Sequence, residues 1–398
     1  MKILLAHNFY RSSAPSGEDA VYRNERELLS RHEDVIVYER HNDDIDESTL
    51  GRRVRLALDG AWSRKTYDEL RDLIRRSRPD VAHFHNTFPQ ISPSAYAACR
   101  DSGVPVVQTL HNYRLICPNA LLLREGKPCE DCVGKSLWPA LKHRCYRGSL
   151  PATVAQVWTL TSNRWRRSYQ MLVDRYIALT QFAAGRFVAG GLPADLVTVK
   201  PNFLPNAPES GQGENGYAVY VGRLSAEKGV RTLLAAWRGV ANLPLKLIGD
   251  GPLREEVQSA IQSTHGAVEW LGFLGREAVL SWVRNAAMQI VPSEWYEGFP
   301  MVIVEAYACG TPVVASRIGS VDEVVLEGNT GFKFEVGNAA ELASIVNALS
   351  TSPERLRQMR PQVRAHFDAH FTAEKNYKSM LDIYTRAIER GARIRHSQ

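Results

Sequence analysis

The chain has 398 residues, 44% of them apolar and 23% charged, with a formal net charge of +6. That length admits two domains of ordinary size, each with its own core, and the composition is that of a soluble globular protein. No apolar run reaches the roughly 18 residues of a membrane span, and the start Met1-Lys-Ile-Leu-Leu-Ala-His7 carries too short an apolar segment for a signal peptide, so a cytoplasmic location is expected.

In chain order, residues 3–6, 35–38, 81–84, 104–110, 176–179 and 196–199 read as strands, and 19–31, 67–76 and 93–100 as helices between them. This is the alternation of a doubly wound parallel sheet. Residues 201–216, rich in Pro, Gly, Asn and Ser, read as a linker. The alternation then restarts with strands at 217–221, 245–248, 268–271, 288–291 and 313–315, and helices at 226–240, 252–261 and 276–285. A further helix starts near Pro300, which suits a helix start because its missing N–H would be unpaired there anyway. The expected fold class is therefore α/β, two Rossmann-like doubly wound domains (1–200 and 217–372) facing across a cleft. A final amphipathic helix, about 373–398, is long enough to cross back to the first domain.

The charge is uneven. Between Arg52 and Arg78 there are nine Arg/Lys against four Asp/Glu, and between Lys135 and Arg167 seven Arg/Lys and no acid, interleaved with Trp138, Tyr146, Trp158 and Trp165. Basic residues mixed with indole rings suit an anionic membrane surface or a lipid pyrophosphate; the plainer reading is a solvated basic face. No nucleic-acid-binding module is apparent, so no nucleic-acid partner is expected.

Four groups of residues carry chemistry. After the second domain's first strand, Gly222-Arg223 and Lys228-Gly229 bracket an expected helix start at Ala226 with Ser225 as N-cap. Cations there oppose the helix dipole unless an anion sits between them, which points to a diphosphate; the alternative is a surface pair with Glu227. Glu297 lies in the loop before Pro300 and Glu305 inside an otherwise apolar helix, where a carboxylate is costly unless donors or an arginine meet it. A structural ion pair and a ligand site at a strand's carboxyl end both remain open. In the first domain, Gly17 in the turn Ser16–Asp19 and His111 at the end of strand 104–110 occupy ligand positions of a doubly wound sheet, although a lone histidine is as often structural. Finally, Cys117, Cys129, Cys132 and Cys145 fall in one insert with a single C-x2-C pair and read as a structural zinc site, as free thiols, or as a disulfide. Cys99 and Cys309 look like core residues.

Together the Gly222-Arg223…Lys228-Gly229 turn, the Glu297-x7-Glu305 pair within Glu-Gly-Phe-Pro, the Ala-Cys-Gly-Thr-Pro-Val-Val-Ala-Ser run and the His111 turn resemble the family 4 retaining glycosyltransferases of the GT-B fold. The likeness spans the whole chain. On Phe84-His-Asn-Thr-Phe-Pro89 and Thr109-Leu-His-Asn-Tyr-Arg114 the first domain resembles a bacterial branch serving capsule, O-antigen or exopolysaccharide assembly. One departure is Ser16 before Gly17, where much of the family has two adjacent glycines. The resemblance implies that Arg223 and Lys228 neutralise the diphosphate of a UDP- or GDP-linked sugar, with Gly17 and Gly222 in the phosphate-facing turns. It implies that Glu305 accepts from the ribose, that Glu297 and the backbone of Gly298, Phe299, Pro300, Met301 and Val302 hold sugar hydroxyls, that His111 contacts the donor sugar, and that Phe273 lines the base. It further implies front-face attack with retention; the basic aromatic first domain suggests a lipid-linked glycan acceptor at the inner face of the cytoplasmic membrane, and with no Asp-x-Asp motif in the expected cleft Arg223, Lys228 and a helix terminus could replace a divalent ion, so no metal in catalysis is expected. An epimerase or phosphorylase on the same fold, and a non-catalytic sugar-nucleotide-binding scaffold, are the alternatives.

Overall fold

The structure is a computed structural model that describes residues 1–13, 16–262 and 266–396. The chain divides into two compact units, the first Met1–Leu122, Glu130–Pro201 and Asn376–Gln398, the second Leu123–Cys129 and Asn202–Lys375. Residues 397–398, the end of the expected terminal helix, lie outside the described residues.

The first unit is a six-stranded parallel sheet of β1 (Lys2–Phe9), β2 (Asp34–His41), β3 (Val81–Phe84), β4 (Val106–Leu110), β5 (Arg175–Ala178) and β6 (Val197–Val199), in the order β2-β1-β3-β4-β5-β6. Ile3, Leu4, Leu5 and Ala6 are all fully buried, as a central strand covered on both faces requires. Helix α1 (Gly17–Ser30) is capped by Ser16, whose Oγ accepts from the Glu18 N–H, and Glu18 and Asp19 in its first turn suit the positive end of the dipole. Among the helices that went unread in the sequence are α2 (Leu50–Ala61) and α3 (Leu150–Trp165). Three arginines and two glycines in α2, and a proline, three threonines and two tryptophans in α3, obscure the helical spacing. The C-terminal helix (Ala373–His396) lays Met380, Ile383, Tyr384 and Ala387 against Ile3, Leu5, Val81 and Val107, closing one face of this sheet.

The second unit is also a six-stranded parallel sheet: β7 (Ala218–Val221), β8 (Leu245–Ile248), β9 (Val268–Trp270), β10 (Met288–Val291), β11 (Val313–Ser316) and β12 (Gly331–Phe334). Its order, β9-β8-β7-β10-β11-β12, reverses between β7 and β10, where doubly wound sheets bind ligands. The segment read as a linker is pinned to this unit. Phe203 and Leu204 are buried, Leu204 N–H donates to Phe371 O at 3.0 Å, and buried Arg360 donates to the carbonyls of Gly211, Arg284, Ala286 and Cys309. The Arg360–Gly211 bond comes from a helix about 150 residues away in sequence, so composition alone does not show it.

The helix expected over 226–240 starts later. Ala226–Lys228 forms a 3-10 turn, and helix α4 (Val230–Trp237) follows Gly229, which sits at φ +70°. A Cβ on Gly229 would lie 1.7 Å from the Pro292 carbonyl oxygen, so the chain passes too close to the end of β10 for any other residue. Ser225 is consequently not an α-helical cap; its Oγ donates to Glu227 Oε1 at 2.6 Å.

Candidate functional site

In the second unit the loops after β7 and β10 flank the point where the strand order reverses, and each brings one charged side chain there. Lys228 Nζ lies 2.9 Å from Glu297 Oε1, and Ser293 Oγ donates to the same carboxylate oxygen. Glu297 is 5% exposed, a position a carboxylate holds only with such partners. The Lys228 ammonium also lies 5.7 Å from the centre of the Trp295 ring. The expected alternative, a pair with Glu227, is not what forms. Arg223, in the same loop as Lys228, is exposed and has no ion pair among the described residues.

Helix α5 (Met301–Ala308) begins one residue after Pro300, which occupies the N-cap. Of the backbone stretch expected to meet sugar hydroxyls, Pro300 has no N–H and the Met301 N–H is already bonded to Phe299 O at 3.0 Å. Glu305 is half-buried on α5, and its carboxylate makes no hydrogen bond or ion pair among the described residues. Burial pushes its carboxyl above the usual range, and Arg276 only partly opposes this. The arginine pair weighed from the sequence is therefore not formed, and the carboxylate is left without a partner among the described residues. Gly222 ends β7, its absent Cβ lying 3.0 Å from Tyr220 Oη. Phe273 stands in the loop after β9, 82% exposed, on the same edge of the sheet as the loops bearing Lys228 and Glu297.

In the first unit the switch point lies between β1 and β3. His111 follows β4 and is buried, its Nε2 3.0 Å from His85 Nδ1. Burial pushes its pKa down to about 3, with His7 and Lys200 adding to the shift, so the ring is neutral. It lines a pocket with Glu18, Asn86, Asn112 and Arg114. Glu18 accepts from Asn112 Nδ2 at 2.7 Å and from Tyr10 Oη at 3.1 Å, and burial raises its carboxyl pKa against the pull of Asn112, Arg114 and Tyr10. Arg114 stacks over Phe88 at 4.0 Å with Nε and Nη1 buried and without a hydrogen-bond partner. None of Tyr10, Glu18, Asn112 and Arg114 was singled out from the sequence as a site residue, although the last two are the second and fourth residues of the His-Asn-Tyr-Arg run. Gly17, expected to face a phosphate, opens α1, and a Cβ there would meet nothing within 4 Å.

The four insert cysteines are not gathered as zinc ligands. Among the described residues the only group of three or more potential ligands is Glu25, His83 and His85. Cys132 instead packs with Leu137, Ala140 and Leu160, its carbonyl held by Arg164 Nη2 at 3.3 Å, while Cys117 Sγ donates to Asn119 Oδ1 at 2.9 Å. Apolar packing and arginine-to-carbonyl bonds hold the insert, and spacing alone did not distinguish these from metal ligation.

Two doubly wound units, one with a cation–carboxylate contact at its switch point and the other with a neutral histidine at the end of a strand, define a two-domain α/β scaffold with polar groups at the carboxyl ends of its strands. Residues 19–202 match the glycosyl transferase 4-like domain model, and residues 206–366 the model for glycosyl transferases group 1. The chain is 31% identical to an uncharacterized glycosyltransferase of Methanocaldococcus jannaschii over 44% of its own length and 49% of that protein's. It is 29% identical to D-inositol 3-phosphate glycosyltransferase 1 of Catenulispora acidiphila over 78% of this chain and 73% of the relative. Anabaena HepE, solved with UDP, superposes with a TM-score of 0.65 at 20% identity, covering 97% of this chain and 100% of that one. The chain belongs to the glycosyltransferases of the GT-B fold.

Proposed function

We propose that the protein is a retaining glycosyltransferase that needs no metal and moves a sugar from a UDP- or GDP-linked donor to a lipid-linked or oligosaccharide acceptor in cell-surface polysaccharide assembly. The observation that carries this reading is the Lys228–Glu297 contact at the switch point, with unpaired Arg223 in the same loop. Breaking the bond from the anomeric carbon to the phosphate oxygen builds positive charge on the sugar and negative charge on the diphosphate. Fixed cations at the leaving group lower that barrier. In front-face attack the acceptor oxygen bonds to the anomeric carbon as the phosphate oxygen leaves, and the acceptor proton passes to that phosphate. Glu297 holds sugar hydroxyls, Glu305 takes the ribose diol that answers its missing partners, and His111 meets a sugar hydroxyl.

Purified protein with UDP-glucose or GDP-mannose in EDTA is expected to release the nucleoside diphosphate above the buffer rate. A requirement for inorganic phosphate points instead to a phosphorylase, epimerised donor to an epimerase, and binding without turnover to a scaffold; each sinks the transferase reading.

The acceptor side rests on surface chemistry. No described helix is long and apolar enough to cross a membrane, yet α2 exposes Leu50, Val54 and Leu58 one turn apart among arginines, and α3 exposes Val154, Trp158 and Trp165. The two helices meet, with Asn163 Nδ2 bonded to Ala61 O at 3.3 Å. An apolar stripe ringed by cations suits an anionic bilayer surface. Flotation with phosphatidylglycerol vesicles is expected at low salt and is lost as salt rises; the bound fraction is expected to fall about tenfold in the double variant Leu58→Asp/Trp158→Asp.

A further inference from the structure

Behind His111 the first unit holds a chain of buried polar groups that no role above absorbs. Lys200 Nζ lies 2.7 Å from Glu25 Oε1. The second oxygen of Glu25 lies 3.3 Å from His85 Nε2, and His85 Nδ1 lies 3.0 Å from His111 Nε2. The side chains of Glu25, His85 and Lys200 are at most 2% exposed. They come from α1, from the residue after β3 and from the residue after β6, so the packing of α1 on the sheet assembles them. The potential ligand atoms of Glu25, His83 and His85 lie within 4.8 Å of one another, but most are already engaged, and only the facing Glu25 Oε2 and His85 Nε2 lack a hydrogen-bond partner. Lys200 supplies the cation Glu25 needs, and His83 spends Nδ1 on Tyr384 Oη at 2.9 Å and Nε2 on Thr109 Oγ1 at 2.8 Å. The cluster is a chain of polar contacts, hydrogen-bonded from Lys200 to Glu25 and from His85 to His111 and joined between Glu25 and His85 by a 3.3 Å contact, not a metal cage.

The direction of that chain follows from proton counting. Beside an ammonium, Glu25 is a carboxylate and only accepts. Burial holds His85 far below its usual pKa, so its ring is neutral and carries one proton. That proton belongs on Nε2, since a bare lone pair there would face the carboxylate. Nδ1 of His85 is then an acceptor, and the neighbouring Nε2 of His111 must carry the proton that fills it. His111, itself neutral, is left with a bare Nδ1, for which the described residues offer no hydrogen-bond donor.

We infer that Lys200, Glu25 and His85 are positioning residues that fix His111 in its Nε2–H tautomer, presenting Nδ1 as an acceptor for a hydroxyl of a bound sugar. Glu25→Gln makes a definite prediction. Lys200 claims the amide oxygen, the amide nitrogen then donates to His85 Nε2, and both protons downstream reverse, converting Nδ1 of His111 from acceptor to donor. The inference rests on His111 meeting a sugar hydroxyl, and the test separates the two ideas. In imidazole-15N spectra, with His111 assigned by its loss in His111→Asn, the wild type is expected as Nε2–H and Glu25→Gln as Nδ1–H. An Nδ1–H tautomer in the wild type overturns the inference without any variant having to fold, and so does an unchanged tautomer in folded Glu25→Gln. Adding UDP-glucose, but not UDP, is expected to shift the His111 Nδ1 resonance and to bind about tenfold more weakly to Glu25→Gln, the effect of one lost hydrogen bond. The predicted tautomers with no response to UDP-glucose uphold the positioning chain and remove His111 from the sugar site instead.

Discussion

Lys228→Ala is expected to lower turnover of the sugar nucleotide about a thousandfold, the largest catalytic effect of any single change in the second unit. Two losses add. The departing diphosphate loses a fixed cation, and Glu297, buried 2.9 Å from that ammonium, loses its counter-charge in surroundings where water does not replace it. Arg223→Ala, at an exposed position, is expected to cost less because solvent screens its charge. The measurement is nucleoside diphosphate release under saturating donor, with far-ultraviolet circular dichroism to confirm folding. Wild-type-like turnover in folded Lys228→Ala would falsify the leaving-group assignment.

Gly229→Ala is expected to give the largest stability loss in the same loop, about 3 kcal/mol, from left-handed strain together with overlap on the end of β10. Its φ of +70° and the 1.7 Å approach to Pro292 O leave no accommodating shift that keeps the 3-10 turn in place. The same change moves Lys228, one residue away, so donor affinity is expected to fall with stability. Gly17→Ala is the matched control, since open space surrounds its absent Cβ. Urea midpoints for the three proteins decide the point; a Gly229→Ala midpoint equal to that of wild type shows that the loop tolerates the strain.

The two predictions draw on different layers of information. The paired motifs at Gly222–Gly229 and Glu297–Glu305 stand out as candidate sites because charges in apolar or helix-start contexts violate local rules, and a sequence shows such violations directly. That Lys228 and Glu297 hold each other was not legible. They are 69 positions apart and meet only because β7 and β10 are neighbours in the sheet. The late start of α4 was missed for a related reason. Ser225 and the apolar spacing fit a helix from residue 226, and only the passage of Pro292 explains why Gly229 interrupts it. In the insert the reverse occurred, a cysteine spacing suggesting metal where packing against Leu137 and Leu160 suffices.

The sequence by itself determined the two parallel-sheet units, nearly all their strands, the restart near residue 217 and the loops that carry charge, because each depends on local apolar periodicity and on turn residues a few positions apart. Tertiary structure alone decided the Lys200–Glu25–His85–His111 chain, the pinning of residues 202–216 by Arg360, and the partner of Glu297. Each of these joins side chains on separate strands or helices, and strand order, which brings them within hydrogen-bonding distance, leaves no periodic trace along the chain.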